Sequence, residues 1–542
     1  VSVRVGLRRA TPVAVIAAAL ALAACGAGGP PGLTYVSLPP PPPSSLGVNL
    51  LQPSGQAGFL SGIVPTAATA ATMGLVSVDF PADSSVAGTV LINAQAGAAG
   101  SSVARAAASA GRRATAANAY TVGASARAVR AASGPPPVGT HQTFYVGATA
   151  SRGGPVVSYT AYPFTLVSTS AHVAVWVHDA ALATFAPASS TFANDAEVAY
   201  AADTAAIGPA VYGDTAVGRT TNVPYCDSAG NAIGSGPRYA APFAYVNVLV
   251  LDAATFGQTV GSEFAPDDTH AQANFNCDTG AVRRRSNEGG FVVASISPTA
   301  NVHYHVQQLT AHEFTHLIQF VDQAIVLGRE NPPPPAIQEG LAELARDIAL
   351  GGTDVGNVAG NPSQFLARPQ DYAILAMTGA HGPYSAGNYG GAYLLMRYIA
   401  DRYGYGFMKS YVQNDPLTGT KASYDALAAA AGAPSFDVLF RDFGATLAAS
   451  AVGAPAQPPY AFTSLQFGHT YQNVQTNDST AATVTIPPVG VAGTTTFDAN
   501  QPFGIYPGGV TVLAIANPVS KQQLYVTDSA KTLGIAGVIV SK

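Results

Sequence analysis

Charge is scarce in this chain of 542 residues: Lys, Arg, Asp and Glu together make up 10%, against roughly 25% in ordinary soluble proteins. The 25 basic and 30 acidic side chains are spread thinly and leave a formal net charge of −5. Without a basic footprint for phosphate backbones, no nucleic-acid partner is expected. No EF-hand-like loop or dense acidic cluster offers a calcium site. The apolar run Thr11–Ala24 is too short to span a bilayer. Only three cysteines occur. Two of them, Cys226 and Cys277, lack a nearby Cys or His partner of the C-x-x-C kind, so a disulfide between them is expected rather than a metal site.

The third cysteine belongs to the N-terminal segment. Arg4, Arg8 and Arg9 form a basic region ahead of that apolar run, which is the layout of an export signal. The following Leu22-Ala23-Ala24-Cys25-Gly26 resembles a bacterial lipobox. That resemblance implies a signal peptide over 1–24, a lipid on Cys25 and attachment to a membrane through it. Gly26 and Ala27 carry no retention Asp, so an exported protein displayed at the outer membrane or cell surface, or released from it, is expected.

Composition divides the rest. A Pro-rich tether is expected over 25–46, where Pro39–Pro43 favours extended chain. Residues 47–138 carry short β-like runs and then an Ala/Ser/Arg-rich linker whose Arg112-Arg113 pair could be a processing point. A β-rich subdomain is expected over 139–190, a catalytic domain with buried strands and then helices over 191–452, and a β-sandwich-like domain over 453–542. The fold class is α+β.

The chemistry concentrates in Thr310-Ala311-His312-Glu313-Phe314-Thr315-His316. Phe314, Leu317, Ile318, Val321 and Ile325 follow helical spacing and define a core face. His312 and His316 share another face, where imidazoles at i and i+4 can hold one ion, and Glu313 lies one step round the helix. The competing reading is a Thr310/Glu313 capping box with two surface histidines. A second helix bears on the choice. Ile337, Leu341, Leu344 and Ile348 form its buried stripe, while Glu339 and Glu343 occupy a separate face. Zinc needs a third protein ligand, and two His plus one Glu leave a position open for water.

With both helices considered, the chain resembles the gluzincin metalloproteases over about residues 240 to 410. In that clan H-E-x-x-H on one helix is completed by the first Glu of an E-G-x-A-E type segment, here Glu339-Gly340-Leu341-Ala342-Glu343. The resemblance implies a zincin catalytic domain, an edge-stranded sheet with active-site helices, flanked by β-rich N-terminal and C-terminal domains. It implies one catalytic Zn2+ on His312, His316 and Glu339, with Glu313 as base and Glu343 orienting a ligating histidine through its other ring nitrogen. Tyr389, at the start of a later helix, matches the oxyanion donor, with Tyr384 and His381 as rivals. The general layout is most similar to hyicolysin-type secreted proteases. The G-x-M-E-N segment of alanyl aminopeptidases is missing, and Asn287-Glu288-Gly289-Gly290 does not replace it, which favours internal peptide bonds of a protein or peptide substrate. The strand Phe291–Ile296, if a sheet edge, could hold that substrate by β-augmentation. The alternative from another class is a surface binding lipoprotein on a non-catalytic zincin scaffold.

Overall fold

A computed structural model describes residues 47–541 apart from several breaks, of which 96–133 is the longest. The expected signal peptide, Cys25, the tether and most of the Ala/Ser/Arg-rich linker lie outside the described residues. Helices and sheets both contribute, and the α+β class is met.

The central sheet has five strands: β1 (His141–Thr149), β2 (Val156–Thr169), β3 (Val173–His178), β4 (Val246–Asp252) and β5 (Gly290–Ile296). Their order is β5-β4-β3-β2-β1. β2 runs antiparallel to both β1 and β3, while β3, β4 and β5 are parallel. Parallel neighbours need crossovers, and helix α1 (Phe192–Ala206) lies in the one between β3 and β4. The sheet joins segments on both sides of the boundary expected at residue 190.

Both faces of β3 to β5 are covered, which is why these strands read as near-continuous apolar runs. Val175, Val177, Val248, Val250, Val292 and Ala294 belong to the main core beneath the helices. Trp176, Leu249, Phe291 and Val293 join Phe144 and Phe164 in a second cluster.

Helix α2 (Val302–Phe320) packs its predicted stripe inward: Phe314, Leu317, Ile318, Val321 and Ile325 are all buried. Beyond Phe320 the winding loosens into a π-turn over Val321–Val326, which carries the stripe on. Helix α3 (Pro335–Ala349) starts on a proline, whose fixed φ suits a first helical turn. Gly340 then allows a close crossing with α4 (Ala386–Tyr403), since a Cβ there would stand 2.8 Å from the Ala392 carbonyl oxygen.

The β runs at the two ends of the chain pair with each other. One sheet orders strands Gly47–Leu50, Ile535–Ser541, Ala71–Ser77, Val510–Ile515 and Gly493–Thr495. The other orders Gln501–Ile505, Gly88–Gln95, Gln523–Asp528, Phe59–Ile63 and Gln52–Pro53. Met73, Leu75, Leu513 and Ile539 of the first meet Ile505 and Val526 of the second in one apolar cluster. Strands from within 47–95 and 493–541 thus build one structure between them. It joins the helical region through α5 (Phe436–Ala451), where the Thr72 hydroxyl donates to the Ala448 carbonyl at 2.7 Å. Gly74 makes that seat possible, because a Cβ there would meet the Gly444 carbonyl oxygen at 2.6 Å.

Cys226 and Cys277 form a disulfide. Among the described residues no helix is long and apolar enough to cross a membrane.

Candidate metal centre

Helix α2 brings His312, Glu313 and His316 together as a group that could hold a metal ion. Glu313 and His316 are buried, and the His312 side chain is 13% exposed. The i, i+4 spacing sets the two imidazoles side by side, with their Nε2 atoms 3.3 Å apart. Helix α3 closes the triangle: Glu339 Oε2 lies 3.4 Å from His312 Nε2 and 3.5 Å from His316 Nε2.

These separations test the fit. Ligand atoms of a tetrahedral zinc ion, bound at about 2.0–2.1 Å, stand about 3.3–3.4 Å from one another. Two imidazole nitrogens and a carboxylate oxygen at those spacings suit zinc in number, type and arrangement.

Electrostatics distinguish the two acids. Burial alone would raise the Glu339 carboxyl, but the facing His316 and His312 reverse this and hold it far below the usual carboxylate range. Glu313 goes the other way. Burial pushes it up to about 8, against the pull of His316 and the Phe264 backbone N–H, and with a further push from the charges of Glu339 and Glu263. A divalent cation among the three donors would add positive charge beside Glu313 and draw it back toward ionisation at neutral pH.

Glu343, on the same helix as Glu339, stands behind His312. Its Oε1 is 3.8 Å from His312 Nδ1, beyond a direct hydrogen bond. Its Oε2 accepts from Arg346 Nη1 at 2.9 Å and from Asn357 Nδ2 at 2.8 Å. Arg346 also donates to Gln308 on α2, so one guanidinium ties the helix of the histidines to the helix of the carboxylates. Arg346 could be suspected from its i+3 spacing to Glu343. Asn357 and Glu263 reach the site from distant segments, and no sequence pattern singles them out.

The oxyanion candidates separate. Tyr384 has an acidity weakened by burial and, to a lesser degree, by the charge of Glu339. Its φ of 51° is left-handed, an uncommon conformation for a bulky residue. Tyr389 is 6% exposed in the first turn of α4, where its N–H donates to the Ser385 carbonyl. His381 pairs with Asp371 at 3.4 Å, and His303 with Asp195 at 2.7 Å.

The edge of β5 differs from the expected open strand. β5 is last in its sheet, but Val293 exchanges both backbone hydrogen bonds with Glu263, and the Ser295 N–H donates to Ser262 Oγ. Segment 262–263 covers the edge there, so substrate cannot pair with β5 at those residues.

No family model matches the sequence, and no curated protein matches it.

Proposed function

We propose that this protein is a zinc-dependent endopeptidase of the gluzincin type, exported and held at the cell surface. The observation that carries the reading is the near-equilateral triangle of His312 Nε2, His316 Nε2 and Glu339 Oε2 with the Glu313 carboxyl beside it. When bound, zinc supplies Lewis-acid polarisation of a carbonyl and acidification of water. Glu313 is the residue that takes the proton from the attacking water and returns it to the leaving amine. Tyr384 donates a hydrogen bond to the oxyanion, and Glu343, braced by Arg346 and Asn357, keeps the His312 ring in orientation.

The buried acid favours an enzyme over a binding scaffold. An ionisable group kept out of water destabilises the fold, and Glu313 makes no ion pair with Lys or Arg among the described residues. Its retention at the metal group fits a general base. The mixed sheet with α2 laid against β5 and α3 packed on α2 supports a zincin-type catalytic unit, and the Cys226–Cys277 disulfide suits an oxidising compartment outside the cytosol.

Elemental analysis alongside casein hydrolysis tests the proposal. One zinc per chain is expected, with zinc and proteolysis both lost in Glu339→Ala. A metal-free wild-type chain after zinc reconstitution, or full activity in that variant, would overturn it.

A separate comparison tests the oxyanion donor. Tyr384→Phe is expected to lower kcat by about 10²–10³-fold with little change in KM, as removal of an oxyanion donor does. A loss of that size in Tyr389→Phe with Tyr384→Phe near wild type would move the role to Tyr389.

A further inference from the structure

Beyond the metal group, α2 continues to a cavity that the reaction as described does not use. Phe320 follows His316 by four residues, about 6 Å along the helix and on a neighbouring face. Its ring packs on Phe264 with centroids 5.6 Å apart, and Phe264 is the residue whose backbone N–H reaches Glu313. Phe320 also forms part of the wall of a cavity of about 400 Å³. One residue, Phe264, therefore connects the proposed base to the wall of this space.

The lining has a distinct chemistry. Tyr239 and Phe320 provide aromatic surface, their rings 5.9 Å apart in an edge-to-face contact. The charged residues of the wall are Arg238 and Arg284, His270 and Asn274 add polar edges, and no carboxylate is among the lining residues. Arg284 is held in place rather than swinging freely. Its guanidinium makes a paired contact with Asp278 at 2.9 and 3.1 Å and lies 4.3 Å above the Phe275 ring. Arg238 comes from the segment after the hairpin strand Ala232–Pro237, and its backbone N–H is fixed to the Thr221 carbonyl.

We infer that this cavity is a specificity subsite for an acidic side chain of the peptide substrate, bound by Arg238 and Arg284 against the Tyr239 and Phe320 rings. The inference rests on the endopeptidase reading and adds its substrate class. An extended peptide advances about 3.3 Å per residue, so two to three residues cover a step comparable to the roughly 6 Å along α2 from His316 to Phe320. Aspartate and glutamate carry the planar anion that guanidinium groups bind best. The aromatic wall favours the longer methylene stem of glutamate.

Matched peptides with Glu, Gln or Lys at single positions around one cleavable bond provide the test. At one position about two to three residues from the bond, kcat/KM is expected to favour Glu over Gln by about tenfold and Lys to be worst. The Glu/Gln ratio should fall toward one in Arg238→Gln, and should shrink in wild type between 0.05 and 0.5 M salt, as partly solvated charge pairs do. Anisotropy of a fluorescent Glu-containing peptide and its Gln counterpart on the Glu313→Gln protein reads the same preference without turnover. Equal binding of the two peptides overturns the subsite. Tighter binding of the Glu peptide that Arg238→Gln removes supports it even if no peptide is cleaved, in which case the endopeptidase reading fails alone.

Discussion

Glu313→Gln is expected to reduce peptide hydrolysis by about 10²–10⁴-fold, the contribution of a positioned general base, while one zinc per chain is retained. The two readouts separate base from ligand. Glu313 lies within the group that could hold an ion, its ligating atom within 4.8 Å of those of His312 and His316. Its carboxyl is nevertheless pushed up to about 8, whereas Glu339 is held far down by the same histidines. A carboxyl that binds metal must give up its proton, and the residue already poised to do so is Glu339. The glutamine side chain is nearly isosteric and cannot accept a proton, so activity should fall with the metal site intact. Loss of zinc from Glu313→Gln would make Glu313 a ligand, and undiminished hydrolysis would remove it from the chemistry.

Much of this site is legible in the sequence because helical periodicity carries it. The stripe Phe314, Leu317, Ile318, Val321, Ile325 fixes which face of α2 is core, and the histidines then fall on a neighbouring face without further assumption. The same logic on α3 sets Glu339 and Glu343 apart from Ile337, Leu341 and Leu344. The crossing of the two helices is not periodic information. It depends on long-range contacts such as Arg346 of α3 reaching Gln308 of α2.

The β regions were less legible for a physical reason. A short run such as Val510–Ile515 announces a strand but carries no record of its partner, and here the partner is Ala71–Ser77 at the far end of the chain. Division of the chain by composition therefore separates two ends that pair with one another. The edge of β5 shows the same limit. Gly290–Ile296 reads as a strand, but nothing in it foretells that Glu263 occupies its outer hydrogen bonds.

The largest stability effect is expected at Asp347, one helical turn beyond Glu343 on α3. Asp347 is fully buried, and its Oδ2 accepts from Arg397 Nη1 and the Tyr393 hydroxyl, each at 2.8 Å. Arg397, also buried, is further bonded to Asp401 at 3.1 Å, to Ser464 Oγ at 2.6 Å and to the Tyr405 hydroxyl at 2.8 Å. This network fastens the carboxylate-bearing helix to α4. Asp347→Ala removes one of the two buried carboxylates that face Arg397 and leaves Asp401 as its remaining counter-charge, and breaking a buried pair costs about 3–5 kcal/mol. The loss should appear as a lower urea midpoint, measured with chelator present so that metal binding does not mask it. Replacing both partners, as in Asp347→Leu with Arg397→Met, removes the half-paired guanidinium while Asp401 keeps its hydrogen bonds from Thr463 and Ser464, and should recover part of the loss. If Asp347→Ala falls by less than about 1 kcal/mol, the value of an exposed pair, the network is not what holds α3 in place. If the double variant is as unstable as the single one, the damage comes from lost packing and lost hydrogen bonds to Tyr393, Asp401 and Ser464 rather than from a charge left with one partner.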